Sequence, residues 1–115
     1  MDGLSVVAGQ IVWVTLDPTR GREQGGWRPC VVVSSADFSA TISELAIVLP
    51  CTSRDRGWRN HIRLSGPIGL DRPTFAMTEQ PRTISVQRIK AVVGSVDSAC
   101  LAHLSRWIDV WIQAA

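Results

Sequence analysis

Two segments of this chain concentrate side chains that bind anions. The first, Asp17 to Pro29, is a glycine-rich stretch carrying Arg20, Arg22 and Arg28 that runs directly into an apolar segment beginning at Cys30. A guanidinium is a planar fork of donors that can grip a phosphate through two parallel hydrogen bonds. Pro29 supplies no amide proton and forces Arg28 to be extended. Arg28 is therefore expected at the mouth of the core, where water is scarce and its charge needs a partner. That partner is either a ligand or Glu23 of the same loop, in an ion pair that pins it. The second segment, Pro50 to Arg59, places the hydroxyls of Thr52 and Ser53 before Arg54, Arg56 and Arg59, which surround Trp58. Cations interleaved with an aromatic suit single-stranded nucleic acid, whose phosphates take forks and whose bases take a stacking face. A solvated turn has the same composition.

Other chemistries find little support. Cys30, Cys51, Cys100, His61 and His103 are scattered and form no paired ligand knuckle for zinc. Cys30 and Cys100 read as small core residues, and three cysteines give no disulfide framework. There is no phosphate-binding Gly-x-x-x-x-Gly-Lys loop, no dinucleotide fingerprint and no Gly-x-Ser-x-Gly elbow. A hydrolytic triad can be drawn on paper through His61 or His103, but an isolated histidine in a strand or on a helix flank is more often structural. An enzyme built on this chain would work without metal, nucleotide cofactor or a conventional base.

The elements that must hold these segments follow from patterning. The 115 residues, 45% hydrophobic, suit one compact domain spanning 1–115 with one core. The longest apolar run, Leu45 to Leu49, is far too short to cross a bilayer, and the first ten residues lack a signal-peptide pattern, so a soluble cytoplasmic protein without membrane partners is expected. β-branched runs predict strands at Gln10 to Leu16, Pro29 to Ser35 and Glu44 to Pro50, with shorter ones at Asn60 to Ser65, Thr74 to Thr78 and Ala91 to Val96. Thr19 to Trp27 reads as a long polar loop. Closely spaced short strands suggest a strongly bent sheet or a small barrel that hides its edges by closure. From Ser98 to Gln113 the apolar residues fall on one helical face, with Asp97 as cap and Trp107 and Trp111 placed to clamp the helix onto the sheet.

Net charge is only +2, yet eleven of the twelve basic residues are arginine and one is Lys90. That bias fits either a GC-rich genome or selection for phosphate-binding forks. So small a net charge argues against a histone-like polycation that binds by total charge.

The order Gly9-Gln10-Ile11-Val12-Trp13, Asp17-Pro18 and Glu23-Gln24-Gly25-Gly26-x-Arg28-Pro29 before a valine strand resembles the MazF/PemK toxins of bacterial toxin–antitoxin pairs. Pro50-x-Thr52-Ser53, Glu79-Gln80-x-Arg82-Thr83-Ile84, and Val93-Gly94 before a C-terminal helix continue it in order and rough spacing over nearly the whole chain. Pro81 replaces the usual apolar residue, and Ser85 stands where an acidic one is common.

The resemblance implies a mainly β (α+β) fold, a small SH3-like bent antiparallel sheet or barrel with a C-terminal amphipathic helix, working as a homodimer. It implies an endoribonuclease that cuts single-stranded RNA, or exposed loops of structured RNA, in a sequence-specific way without metal or other cofactor. The products are a 2′,3′-cyclic phosphate and a 5′-hydroxyl. Catalysis carries over onto Arg28 and Thr52, and RNA contacts onto Gln24, Ser53, Arg54, Trp58, Glu79, Gln80 and Arg82. Because a guanidinium is a set of donors with no lone pair to offer, Arg28 suits an electrostatic clamp rather than a base, with the Thr52 hydroxyl as second donor to the phosphate. Glu23 is the candidate base or orienter. A cognate antitoxin would bind through a flexible, largely acidic C-terminal tail. The rival from another class is a toxin of the same fold that inhibits a topoisomerase by binding and cleaves nothing. A generic SH3-like adaptor would need an aromatic peptide groove, and the chain has no tyrosine to line one.

Overall fold

A computed structural model of the chain describes residues 5–15 and 26–113. The Asp17-Pro18 turn, Arg20, Arg22, Glu23 and Gln24 lie outside the described residues. Among the described residues, seven strands follow in order: β1 (Gln10–Thr15), β2 (Trp27–Val32), β3 (Leu45–Thr52), β4 (His61–Arg63), β5 (Phe75–Met77), β6 (Arg82–Ser85) and β7 (Ile89–Ser95). A short helix α1 (Ala36–Thr41) joins β2 to β3, a single 3-10 turn (Val86–Arg88) joins β6 to β7, and α2 (Ser98–Ile112) ends the fold.

All pairings are antiparallel, in the order β4-β5-β3-β2-β1-β7. β3 has a divided outer edge: its first half, Leu45 to Val48, pairs with β6, and its end, Cys51 and Thr52, pairs with β5. The bent sheet matches the expectation, but closure does not occur among the described residues, where β4 and β7 stand at opposite ends of the order. The β4 end is protected instead by α2. The Asp97 amide and carboxylate bond Ser65, at 2.9 Å each, and the Cys100 thiol donates to the Arg63 carbonyl at 3.9 Å. Covering an edge with a helix removes the need to close it.

Successive residues of a strand point to opposite faces, and the core divides accordingly. Val12, Val14, Cys30, Val32, Ala46, Val48, Ile84 and Ile89 pack on one face with Val6. Ile11, Val31, Leu49, Cys51, Ile62, Leu64 and Ala76 pack on the other beneath Cys100 and Leu104 of α2. The helix starts where its cap predicts: the Asp97 carboxylate accepts from the Cys100 amide at 2.8 Å. Of the two tryptophans expected to clamp it, Trp107 packs against the second core. Trp111 remains 46% exposed, stacks on Trp107 at 5.4 Å and donates from Nε1 to the Thr78 hydroxyl at 3.1 Å.

Two elements were absent from the sequence expectation. β6 runs just after Pro81, and α1 is a helix of six residues capped by Ser35, whose hydroxyl accepts from the Phe38 amide at 3.1 Å.

Candidate active site

Strand register assembles the site. β2 and β3 pair Cys30 with Pro50 and Val31 with Leu49, so continuing two residues along both strands sets Arg28 opposite Thr52. Because Cys30 and Arg28 are two apart on β2, and Leu49 and Cys51 belong to the α2-covered core, Arg28 and Thr52 emerge together on the first face. Arg82 pairs with Val48 on the other side of β3 and emerges on that face too. Cys30 registers both cations. Burial pushes its thiol up to about 12, and the guanidinium groups of Arg82 and Arg28 pull in the other direction.

Arg28 itself is exposed, which corrects the expectation of a dry position at the mouth of the core. The core ends at Cys30: burial along β2 rises from exposed Trp27 and Arg28 through half-buried Pro29 to fully buried Cys30. The extended conformation that Pro29 predicts is present, since Arg28 lies in β2 paired with Val14. Glu23 and its ion pair with Arg28 lie outside the described residues.

Thr52 is half-buried at the end of β3, and its Oγ1 accepts from the Arg54 amide at 3.1 Å. The amide fixes the oxygen and leaves the hydroxyl proton to donate outward. Ser53 and Arg54 follow it, both exposed. The loop then turns through Asp55, whose carboxylate accepts from the Gly57 amide at 2.9 Å, with Gly57 at φ +74°. Trp58 is 51% exposed, tilted against the His61 ring at 4.7 Å with Arg56 5.6 Å from its centroid. It offers surface for stacking.

Glu79 holds the neighbouring turn together. One carboxylate oxygen accepts from the Asn60 side-chain amide at 2.7 Å, and the other meets His61 Nε2 at 3.1 Å and the Gln80 amide at 3.2 Å. Burial pushes its carboxyl up, but its own backbone amide, His61 and Gln80 outweigh that and hold it below the ordinary glutamate value. Both oxygens are thus engaged by protein donors. Gln80 also directs its amide to the Met77 sulfur at 3.8 Å. His61, expected to be structural, is buried and serves as the inner partner of Glu79.

Residues 8–112 match the family described as PemK-like, MazF-like toxin of type II toxin-antitoxin system. The chain belongs to that family. Among curated relatives, the endoribonuclease MazF9 of Mycobacterium tuberculosis is 35% identical over 113 residues, covering 90% of this chain and 96% of that protein. The endoribonuclease toxin MazF of Escherichia coli K12 is 34% identical over 77 residues, a match spanning 67% of this chain and 66% of that protein's length. Among solved structures, a MazE-MazF crystal structure from Deinococcus radiodurans contains a chain that superposes with a TM-score of 0.81 at 24% identity, covering 97% of this chain and 99% of that one. At that identity the likeness speaks for the fold.

In this MazF-like toxin, Arg28, Thr52 and Arg82 are gathered on one face of the sheet, and Gln80 lies beside Met77. Trp58 sits apart on the loop that covers His61. Sequence inspection passed over Phe75 and Arg63. β5 pairs Phe75 with Thr52 and β4 pairs Arg63 with Phe75, so both continue the row that begins at Arg28. No local motif announces them. Among the described residues no three His, Cys, Asp or Glu side chains converge to hold a metal ion.

Proposed function

We propose that this chain is the toxin of a type II toxin–antitoxin pair and an endoribonuclease that cleaves single-stranded RNA by attack of the ribose 2′-hydroxyl on the adjacent phosphorus. Fold alone does not establish an activity. The observation that carries the proposal is the β2–β3 register, Cys30 on Pro50, whose continuation brings Arg28 towards Thr52 on an open face, with Arg82 paired to Val48 on the other side of β3. Arg28 supplies a permanent cation to the phosphate as charge builds on its non-bridging oxygens, and Thr52 supplies a hydrogen bond from a hydroxyl already oriented by the Arg54 amide. Gln80 and Arg82 hold the strand alongside, and Glu79 positions Gln80. Glu23 is the proposed base. Glu23 takes the 2′-hydroxyl proton as the 2′-oxygen bonds to phosphorus, the bond from phosphorus to the 5′-oxygen breaks, and the leaving oxygen takes a proton from water, giving a 2′,3′-cyclic phosphate and a 5′-hydroxyl. In the relative from Deinococcus radiodurans the toxin is found with MazE. For this chain we assign an antitoxin with an acidic tail drawn to the arginines of the same face, and a homodimer as the working unit.

Incubation with a single-stranded RNA carrying one 2′-deoxyribose at the cut site tests the chemistry. The all-ribose RNA should be cut in the presence of EDTA and the deoxy RNA should resist. Cleavage of both would rule out internal attack, and cleavage of neither would favour a toxin that acts by binding.

A further inference from the structure

The row that begins at Arg28 and Thr52 does not stop there. Thr52 pairs with Phe75, and Phe75 pairs with Arg63. Their neighbours Cys51, Ala76 and Ile62 all belong to the core under α2, so Thr52, Phe75 and Arg63 share the opposite face, the one that carries Arg28. Directly paired residues stand about 5 Å apart, so an arginine, a hydroxyl, a phenyl ring and a second arginine succeed one another across four strands. Beyond Thr52 the surface falls into an open basin of about 600 Å³ lined by Ser53, Asp55, Arg63, Asp71, Arg72 and Phe75, in which Arg72 Nε lies 3.8 Å from the Asp71 carboxylate, both side chains largely exposed.

The lining is selective. Two guanidinium groups invite an anion, but two carboxylates repel a bare one, and Phe75 offers a flat apolar face. A ligand satisfying all three carries a phosphate, a planar ring and N–H donors on that ring. A nucleotide does so, whereas an acidic peptide would be repelled by Asp55 and Asp71 without using the ring. On the nuclease reading above, the nucleotide is one flanking the scissile phosphate. We infer that this basin is a nucleotide subsite, in which Phe75 stacks the base, Arg63 and Arg72 take the adjoining phosphate, and Asp71 accepts from the amino edge of the base.

The test uses the full chain and RNAs of about a dozen nucleotides spanning its cut site, located by sequencing 5′-hydroxyl ends, with one nucleotide at a time made abasic. Wild type should lose about 10- to 100-fold in kcat/KM at one abasic position beside the cut. Phe75→Leu should show that loss on the intact RNA and no further loss when the same position is abasic, with all other positions behaving as in wild type. Arg63→Gln alters an exposed side chain and so keeps the fold. It should raise KM and lower the salt slope of binding by about 0.7, the share of one phosphate contact on a single strand. A wild-type abasic pattern and salt slope in both variants would overturn the subsite while leaving the nuclease standing. If the wild-type chain cuts no RNA, the nuclease proposal fails separately. Anisotropy binding of mixed-sequence RNAs of the same length then decides: weaker binding by the two variants supports the basin, and unchanged binding overturns it.

Discussion

On the proposed mechanism, Arg28 and Thr52 divide the work on the phosphate according to what each side chain cannot do. A guanidinium has no lone pair to accept a proton at neutral pH, and a threonine hydroxyl carries no charge. Arg28 is exposed and outside both cores, so its replacement should act on rate and spare the fold. Arg28→Ala is expected to lower single-turnover cleavage by about 10²- to 10³-fold while shifting stability by less than about 0.5 kcal/mol. A melt that collapses with activity would assign Arg28 to architecture instead. Glu79 works differently, as a buttress whose charged form is preferred in the folded protein. Its folded-state value lies below the ordinary one of about 4.3, so the native state binds fewer protons there than the unfolded chain. The stability it contributes is full above that pH and is lost as pH falls through the depressed value. Urea melts of wild type and Glu79→Gln should therefore differ most near neutrality and converge on acidification below about pH 4.3.

At the scale of elements, the loop between β4 and β5 fits against β7 because two glycines meet there. Gly69 adopts φ +76°, and a methyl group on it would overlap the Val93 carbonyl; one on Gly94 would overlap the backbone of Ile68 and Pro67. Backbone on both sides leaves nothing flexible to yield. Gly94→Ala should thus cost about 1–3 kcal/mol in a denaturant melt, and a neutral result would mean the loop can lift off β7. The same contrast between local and distant causes explains what could be read before the fold was known. The α2 helix is legible because Cys100, Leu104 and Asp97 repeat at spacings its own geometry sets, and β1 and β3 because β-branched runs report burial directly. β6 is not, because Arg82-Thr83-Ile84-Ser85 becomes a strand by docking Ile84 into the core along the free edge of β3. α1 has under two turns and no buried residue, too short for periodicity to register. Arg28 and Thr52 carry motifs of their own, whereas Phe75 and Arg63 join them through strand pairings that no nearby residue records.

For the molecule as a whole, the sheet is a partition with a core on each side, and the two faces have separate duties. One is sealed by α2, and the other is sealed by Val6, Ile84 and Ile89 over its middle and left open at the end where Arg28, Thr52, Phe75 and Arg63 emerge. Among the described residues no helix is long and apolar enough to cross a membrane. The divided edge of β3 slows the opening of that strand. Its amides are hemmed in by β2 on one side and by β6 and β5 on the other, so no single flanking strand can peel away and bare the whole of it. Deuterium should enter the amides of Ala46 to Leu49 and of Cys51 last, at a rate matching global unfolding, while Ile62 and Ala76 at the β4 end exchange through smaller, cheaper openings. On the proposed function, the row then has a slow-exchanging anchor at Cys51, next to Thr52, and a yielding flank at Arg63, where a nucleotide is admitted and released without disturbing the centre of β3.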